Sequence, residues 1–166
     1  MKEWELTVSF SVNNILGVIN SKLLKTYSEI DNRCRLLGIL VKLWANVHEL
    51  SSARKNFLSS YAYNLMVINY LQTMKNPILP SLQAIRKEDE NHEEELKQVR
   101  NHEKGGSIKD TYKVRVDYED DLDVIREYMA EHGFKENKKT VIQLLKGFFK
   151  FYKNKKKFEK ITLSVK

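Results

Sequence analysis

The 166 residues predict an α+β fold that is mainly helical, with a small sheet formed by terminal strands. Three observations carry that expectation. Short segments of alternating apolar and polar residues stand near both ends, which suits half-buried strands. Long stretches between them repeat their apolar residues at helical spacing. The order is strand, helices, strand, helices, strand, with no internal repeat.

Taken in order, Leu6-Thr7-Val8-Ser9-Phe10-Ser11-Val12 alternates and is rich in β-formers, so it reads as a strand. Asn13-Asn14 can cap a helix carrying Ile15, Leu16, Ile19, Leu23 and Leu24 on one side. Asp31 can cap a second, with Leu36, Leu37, Leu40, Val41, Trp44 and Val47 as its buried face. A third runs from about Ser59 to Met74 through Leu65, Met66, Ile68 and Leu71, and Pro77 and Pro80 stop it. A short turn follows through Leu82 and Ile85.

Residues 86–111 are a charged insertion, flexible or a solvated helix, with Gly105-Gly106 as a break. Tyr112-Lys113-Val114-Arg115-Val116 alternates and predicts a second strand. Leu122, Ile125, Tyr128 and Met129 suit a helix ending at Gly133. Val141, Leu144, Leu145, Phe148, Phe149 and Tyr152 suit another, and Ile161-Thr162-Leu163-Ser164-Val165 a third strand. The whole of 1–166 reads as one domain.

Composition narrows the function classes. Hydrophobic residues at 42% and charged residues at 31% fit a globular chain able to bury a core. The net charge of +7 favours a polyanionic partner such as RNA, although basic proteins without that role are equally common. A single cysteine, Cys34, excludes an internal disulfide and points to a reducing, intracellular compartment; cytoplasm, nucleus and mitochondrion are not distinguished. Cys34 itself reads as a small core residue. No apolar run reaches the roughly 18–20 residues needed to span a bilayer, so no membrane partner is expected. Met1–Glu5 lacks the character of a signal or transit peptide. His92 and His102 stand beside carboxylates but match no zinc spacing, and they read as surface histidines.

The most informative block is Leu58-Ser59-Ser60-Tyr61-Ala62-Tyr63-Asn64-Leu65-Met66 with Asn76-Pro77-Ile78-Leu79-Pro80-Ser81-Leu82-Gln83. Hydroxyls and free amides at a helix start suit phosphate oxygens, and a ring beside them can stack on a base. Three further segments accompany it: Val12-Asn13-Asn14-Ile15-Leu16-Gly17-Val18-Ile19-Asn20-Ser21-Lys22-Leu23-Leu24; Ile30-Asp31-Asn32-Arg33-Cys34-Arg35-Leu36 with Leu40-Val41-Lys42-Leu43-Trp44-Ala45; and Leu144-Leu145-Lys146-Gly147-Phe148-Phe149-Lys150-Phe151-Tyr152 running into the last strand. Together these resemble the terminal uridylyltransferases and non-canonical poly(A) polymerases, in the central helical, poly(A) polymerase-associated domain of those nucleotidyltransferases.

That resemblance implies a nucleotide pocket. Asn20 and Ser21 match residues at the ribose hydroxyls, Lys42 and Ser60 match triphosphate contacts, and Tyr61 matches the ring stacked on the base. The chemistry is coherent, since an ammonium neutralises phosphate, a hydroxyl donates to it, and a ring holds a base. The plainer reading makes Tyr61 a core aromatic, Ser60 a helix cap and Lys42 a solvated lysine.

Departures from the family are equally specific. Its members hold two divalent metals on three aspartates, as two-metal phosphoryl transfer requires. The first two belong to a catalytic domain not found in these residues, and at the third position stands Ser9, a poor magnesium ligand. No catalytic or metal-ligating residue is therefore expected here. Asn46 stands where a second phosphate-contacting lysine is frequent, and the base-selecting motif lies beyond the final strand.

Two functions follow as expectations. One is a domain of an RNA 3′-terminal nucleotidyltransferase that is inactive alone. It would use Mg2+ and UTP or ATP only when another chain or domain supplies the carboxylates. The other is a pseudoenzyme serving as a structural subunit of a larger assembly that contains RNA. Both imply RNA and a second protein chain as partners, the latter pairing with the terminal strands. Lys153, Lys155, Lys156 and Lys157, interleaved with aromatics, are the candidate RNA contacts, against the alternative of a solvated loop.

Overall fold

Asn14 opens the first helix, α1 (Ile15–Ile30), by accepting the Gly17 N–H at 2.9 Å. The computed structural model describes residues 14–51, 57–88, 96–102, 108–115 and 117–153. Asp31 both ends α1 and caps α2 (Asn32–Val47), accepting the Arg33 N–H at 2.8 Å. Ser59 caps α3 (Ser60–Thr73) by accepting from the Ala62 N–H at 3.2 Å. The chain then doubles back through Pro77 and Pro80, with the Ile78 N–H on the Leu71 carbonyl at 2.9 Å, into α4 (Leu82–Glu88).

Two helices complete the bundle. Asp121 caps α5 (Leu122–Glu131), and Gly133 just beyond it adopts a φ of 70°, the left-handed conformation that glycine tolerates best. α6 (Val141–Lys153) opens on a reciprocal cap: the Gln143 N–H donates to Thr140 Oγ1 at 3.3 Å and the Thr140 N–H to Gln143 Oε1 at 2.9 Å.

One hydrophobic cluster joins the six helices of the described residues. Tyr27, Leu37, Val41, Leu71, Leu82, Ile125 and Leu144 are fully buried in it. Tyr27 Oη accepts from Gln72 Nε2 at 3.0 Å and from the Leu82 N–H at 3.4 Å, so its polar end is satisfied inside the core. Burial pushes that phenol up to about 12. α6 docks through Trp44 against Phe149, with ring centroids 4.7 Å apart, and through Tyr152 Oη, which donates to the Met66 carbonyl at 2.8 Å. Gly147 permits this docking, because a Cβ there would collide with the Tyr70 hydroxyl.

The described residues are mainly helical, as the sequence predicts. Three details differ. Leu36 and Val47 are exposed, Val47 by 78%, because the buried face of α2 runs through Cys34, Leu37, Val41 and Ala45 instead. Within the charged segment, Leu96–His102 is a strand (β1) and not a helix. It pairs antiparallel with β2 (Ile108–Arg115), Leu96 opposite Arg115, so the two strands satisfy one another's backbone groups. The expected strand at Tyr112–Val116 therefore begins earlier, at Ile108. The terminal strands expected at Leu6–Val12 and Ile161–Val165 lie outside the described residues.

Candidate functional site

Three helices converge on one cleft. Leu24 and Ser28 of α1, Arg35, Gly38 and Lys42 of α2, and Asn64 of α3 line it, around a volume of about 180 Å³. Its spacing is regular. Gly38 meets Asn64 closely, since a Cβ at Gly38 would stand 2.9 Å from Asn64 Oδ1. Tyr63 Oη donates to the Leu50 carbonyl at 2.9 Å, fixing the start of α3 beside the end of α2. These contacts set α2 and α3 antiparallel, so one helical turn from Gly38 to Lys42 corresponds to one turn back from Asn64 to Ser60. α1 and α2 are joined by Asp31 alone, and Leu24 faces the cleft with Gly38, each seven residues from that corner. Asn20 and Lys42 each lie eleven residues from it.

Lys42 lies within the cleft, while Asn20, Ser21, Ser60 and Tyr61 do not line it; Asn20 and Ser60 each stand one helical turn before a lining residue, Leu24 and Asn64. Their local states separate the plain readings from the functional ones. Ser59 performs the capping, which leaves the Ser60 hydroxyl exposed and without a partner among the described residues. Tyr61 is half-buried and outside the hydrophobic cluster, so it is not a core aromatic; burial still raises its phenol. Lys42 is half-buried with no carboxylate paired to it among the described residues. The Asn20 side chain likewise makes no hydrogen bond among them. Ser21 is engaged, its Oγ donating to the Gly17 carbonyl at 2.7 Å. Asn46, in place of the frequent second lysine, accepts from the Ser51 hydroxyl.

The cleft carries Arg35 and Lys42 and no carboxylate, a balance suited to an anion. Cys34 forms part of its wall as a buried thiol pushed up to about 12 by desolvation, which leaves it a packing residue without nucleophilic character. Asn64 and Ser28 are cleft residues that the sequence reading did not single out. An amide one turn after Ser60, inside an otherwise apolar helix, was the available signal for Asn64.

A second polar centre lies at the α1–α2 corner. Arg33 grips Asp31 at 2.6 Å and donates to the carbonyls of Asn137 at 2.5 Å and Lys139 at 2.8 Å. Buried Asn137 donates to the Asn76 carbonyl at 2.7 Å. Burial tends to raise the Asp31 carboxyl, but the Arg33 hydrogen bonds and charge outweigh it and hold the group below its usual value.

No group of three His, Cys, Asp or Glu among the described residues is arranged to hold a metal ion, so those residues do not fit a divalent metal and no metal-centred step is assigned to them. Ser9 and Lys155–Lys157 lie outside the described residues, and Lys153 is exposed at the end of α6. No helix among the described residues is long and apolar enough to cross a membrane.

No family model matches the chain. Curated relatives do: the poly(A) RNA polymerase GLD2 of Homo sapiens is 51% identical over 75 residues, which are 45% of this chain and 16% of that protein. GLD2 of Danio rerio is 45% identical over 71 residues, 43% of this chain and 14% of the relative. The chain thus spans about one-sixth of the length of these relatives. Among solved structures, Cid1 in complex with its short product ApU superposes with a TM-score of 0.61 at 30% identity, covering 86% of this chain and 38% of that one. The Cid1 poly(U) polymerase with Mg 3′-dATP bound gives 0.60 at 30% identity, over 86% of this chain and 37% of that one. Sequence and fold together match this chain to the terminal uridylyltransferase and non-canonical poly(A) polymerase family over a part of its members' length.

Proposed function

We propose that these residues are the nucleotide-holding helical part of an RNA 3′-terminal nucleotidyltransferase. The reaction would move UMP or AMP from its triphosphate onto an RNA 3′-hydroxyl. The observation that carries this reading is the convergence of α1, α2 and α3 on a cleft lined by two cations and no carboxylate. Lys42 neutralises the triphosphate and Ser60 donates to it. Asn20 and Ser21 meet the ribose, and Tyr61 stacks on the base. Likeness to GLD2 and to Cid1 bound to Mg and nucleotide supports the substrate class.

Residues 1–166 by themselves hold nucleotide without transferring it, in this proposal, because Ser9 stands where the family's third metal-binding aspartate belongs. The carboxylates that would hold Mg2+ must then come from residues outside this sequence. Ser9 also favours a second reading, a pseudoenzyme subunit whose cleft serves assembly. Calorimetric titration with UTP and ATP separates the two. The first reading expects saturable binding that Lys42→Ala weakens, with no incorporation of labelled nucleotide into RNA by the chain alone. Absence of binding at millimolar nucleotide rejects it and leaves the pseudoenzyme.

A further inference from the structure

The chain's positive charge is concentrated in one segment. Between Asn137 and Phe158 stand eight lysines and no aspartate or glutamate. The rest of the chain carries 21 lysines and arginines against 22 acids, so the whole net charge of +7 resides in those 22 residues. A generally basic composition does not produce that pattern.

The described residues place part of that charge on one face of α6. Lys146, Lys150 and Lys153 are all exposed on α6, at the three- and four-residue steps that align side chains along one helical face. Lys139, before the helix, and Gln143 in its first turn continue the same spacing. The opposite face, carrying Leu144 and Phe148, is buried against the bundle, so the lysine face points away from it. Lys138 pairs with Glu136 at 3.6 Å, but Lys139, Lys146, Lys150 and Lys153 have no carboxylate partner among the described residues. An unneutralised, linear row of ammonium groups complements a linear polyanion.

We propose that this face of α6 is a track for the phosphate backbone of single-stranded RNA. The choice of RNA rests on the nucleotidyltransferase reading above, while the track itself rests on charge and geometry. Lysine is a point charge without base readout, so the track holds RNA regardless of sequence. Lys146 to Lys153 spans about 10 Å at the helical rise, room for a few phosphates.

The test uses the full 166-residue chain and fluorescein-labelled 15-mers of oligo(U) and oligo(A), measured by anisotropy across a salt series. Lys146→Gln/Lys150→Gln/Lys153→Gln should weaken both RNAs alike. It should also reduce the slope of log affinity against log salt by about 2, at roughly 0.7 per phosphate for single strands. Lys75→Gln, exposed but off the track, should change neither. An unchanged slope, or a loss confined to one of the two RNAs, overturns the proposal. So does a matching loss of UTP and ATP binding in the triple variant, which would assign these lysines to the nucleotide instead. Failure here with intact nucleotide binding leaves the cleft reading standing, whereas failure of nucleotide binding in the unaltered chain removes the cleft reading.

Discussion

The corner at Arg33 and the α1–α3 cleft both carry polar groups, and they differ in how completely those groups are used. At the corner Arg33 engages Asp31 and two backbone carbonyls, and Asn137 is tied to Asn76. The side chains of Lys42 and Asn64 in the cleft, and of Asn20 and Ser60 one turn before its Leu24 and Asn64, make no hydrogen bond or ion pair among the described residues. A polar group engaged inside the fold stabilises the fold, and one held ready but open has its interaction left for a ligand. The contrast predicts that substitutions at the corner cost stability and those at the cleft cost binding.

The largest effect is expected from Arg33→Ala. It strands the Asn137 and Lys139 carbonyls and the Asp31 carboxylate, for about 2–3 kcal/mol of stability. Thermal melting should show a fall of roughly 5–10 °C for a chain of this size. A loss of nucleotide affinity without that fall would blur the division. Tyr61→Ala comes next and has the opposite signature. Nucleotide affinity should drop by about 1–3 kcal/mol, the worth of a stacked base, with melting nearly unchanged.

A sharper pair is Asn137→Ala against Ser60→Ala. The first leaves the Asn76 carbonyl and the Lys139 N–H without their partner and should cost about 1–2 kcal/mol in denaturant unfolding. The second, exposed and not capping, should lie within about 0.5 kcal/mol of the parent. The smallest effect concerns acid. Because Asp31's folded value lies below its unfolded value of about 4, its stabilisation is complete above that pH and disappears as pH falls through the folded value. Asp31→Asn should therefore flatten the acid limb of a stability–pH curve, a change that urea midpoints between pH 2 and 5 can resolve.

Much of this was legible in residue order. Asn14 and Asp31 cap as their type predicts, Pro77 and Pro80 end α3, and the apolar spacing marks Leu37, Val41, Leu71 and Leu144. What spacing could not settle is which side of an apolar helix meets its neighbours: α2 is apolar almost all round, so Leu36 and Val47 qualified as core yet stand in solvent. β1 was hidden because a charged sequence gives no alternation, and its strand arises from pairing with β2. Ser59 and Ser60 are equivalent caps in sequence, and only coordinates show that Ser59 takes the role and frees Ser60. Tyr27 escaped notice since a buried phenol needs Gln72 and Leu82, which are remote along the chain.

The central claim is that the open polar groups at the cleft, and not those at the corner, receive a nucleotide. Backbone amide NMR of the 166-residue chain titrated with UTP and with ATP tests it most directly. The account predicts saturable shifts concentrated at Asn20, Ser21, Lys42, Ser60 and Tyr61, with Arg33 and Asn137 unmoved. Shifts centred on the Arg33 corner, or none at millimolar nucleotide, would contradict it.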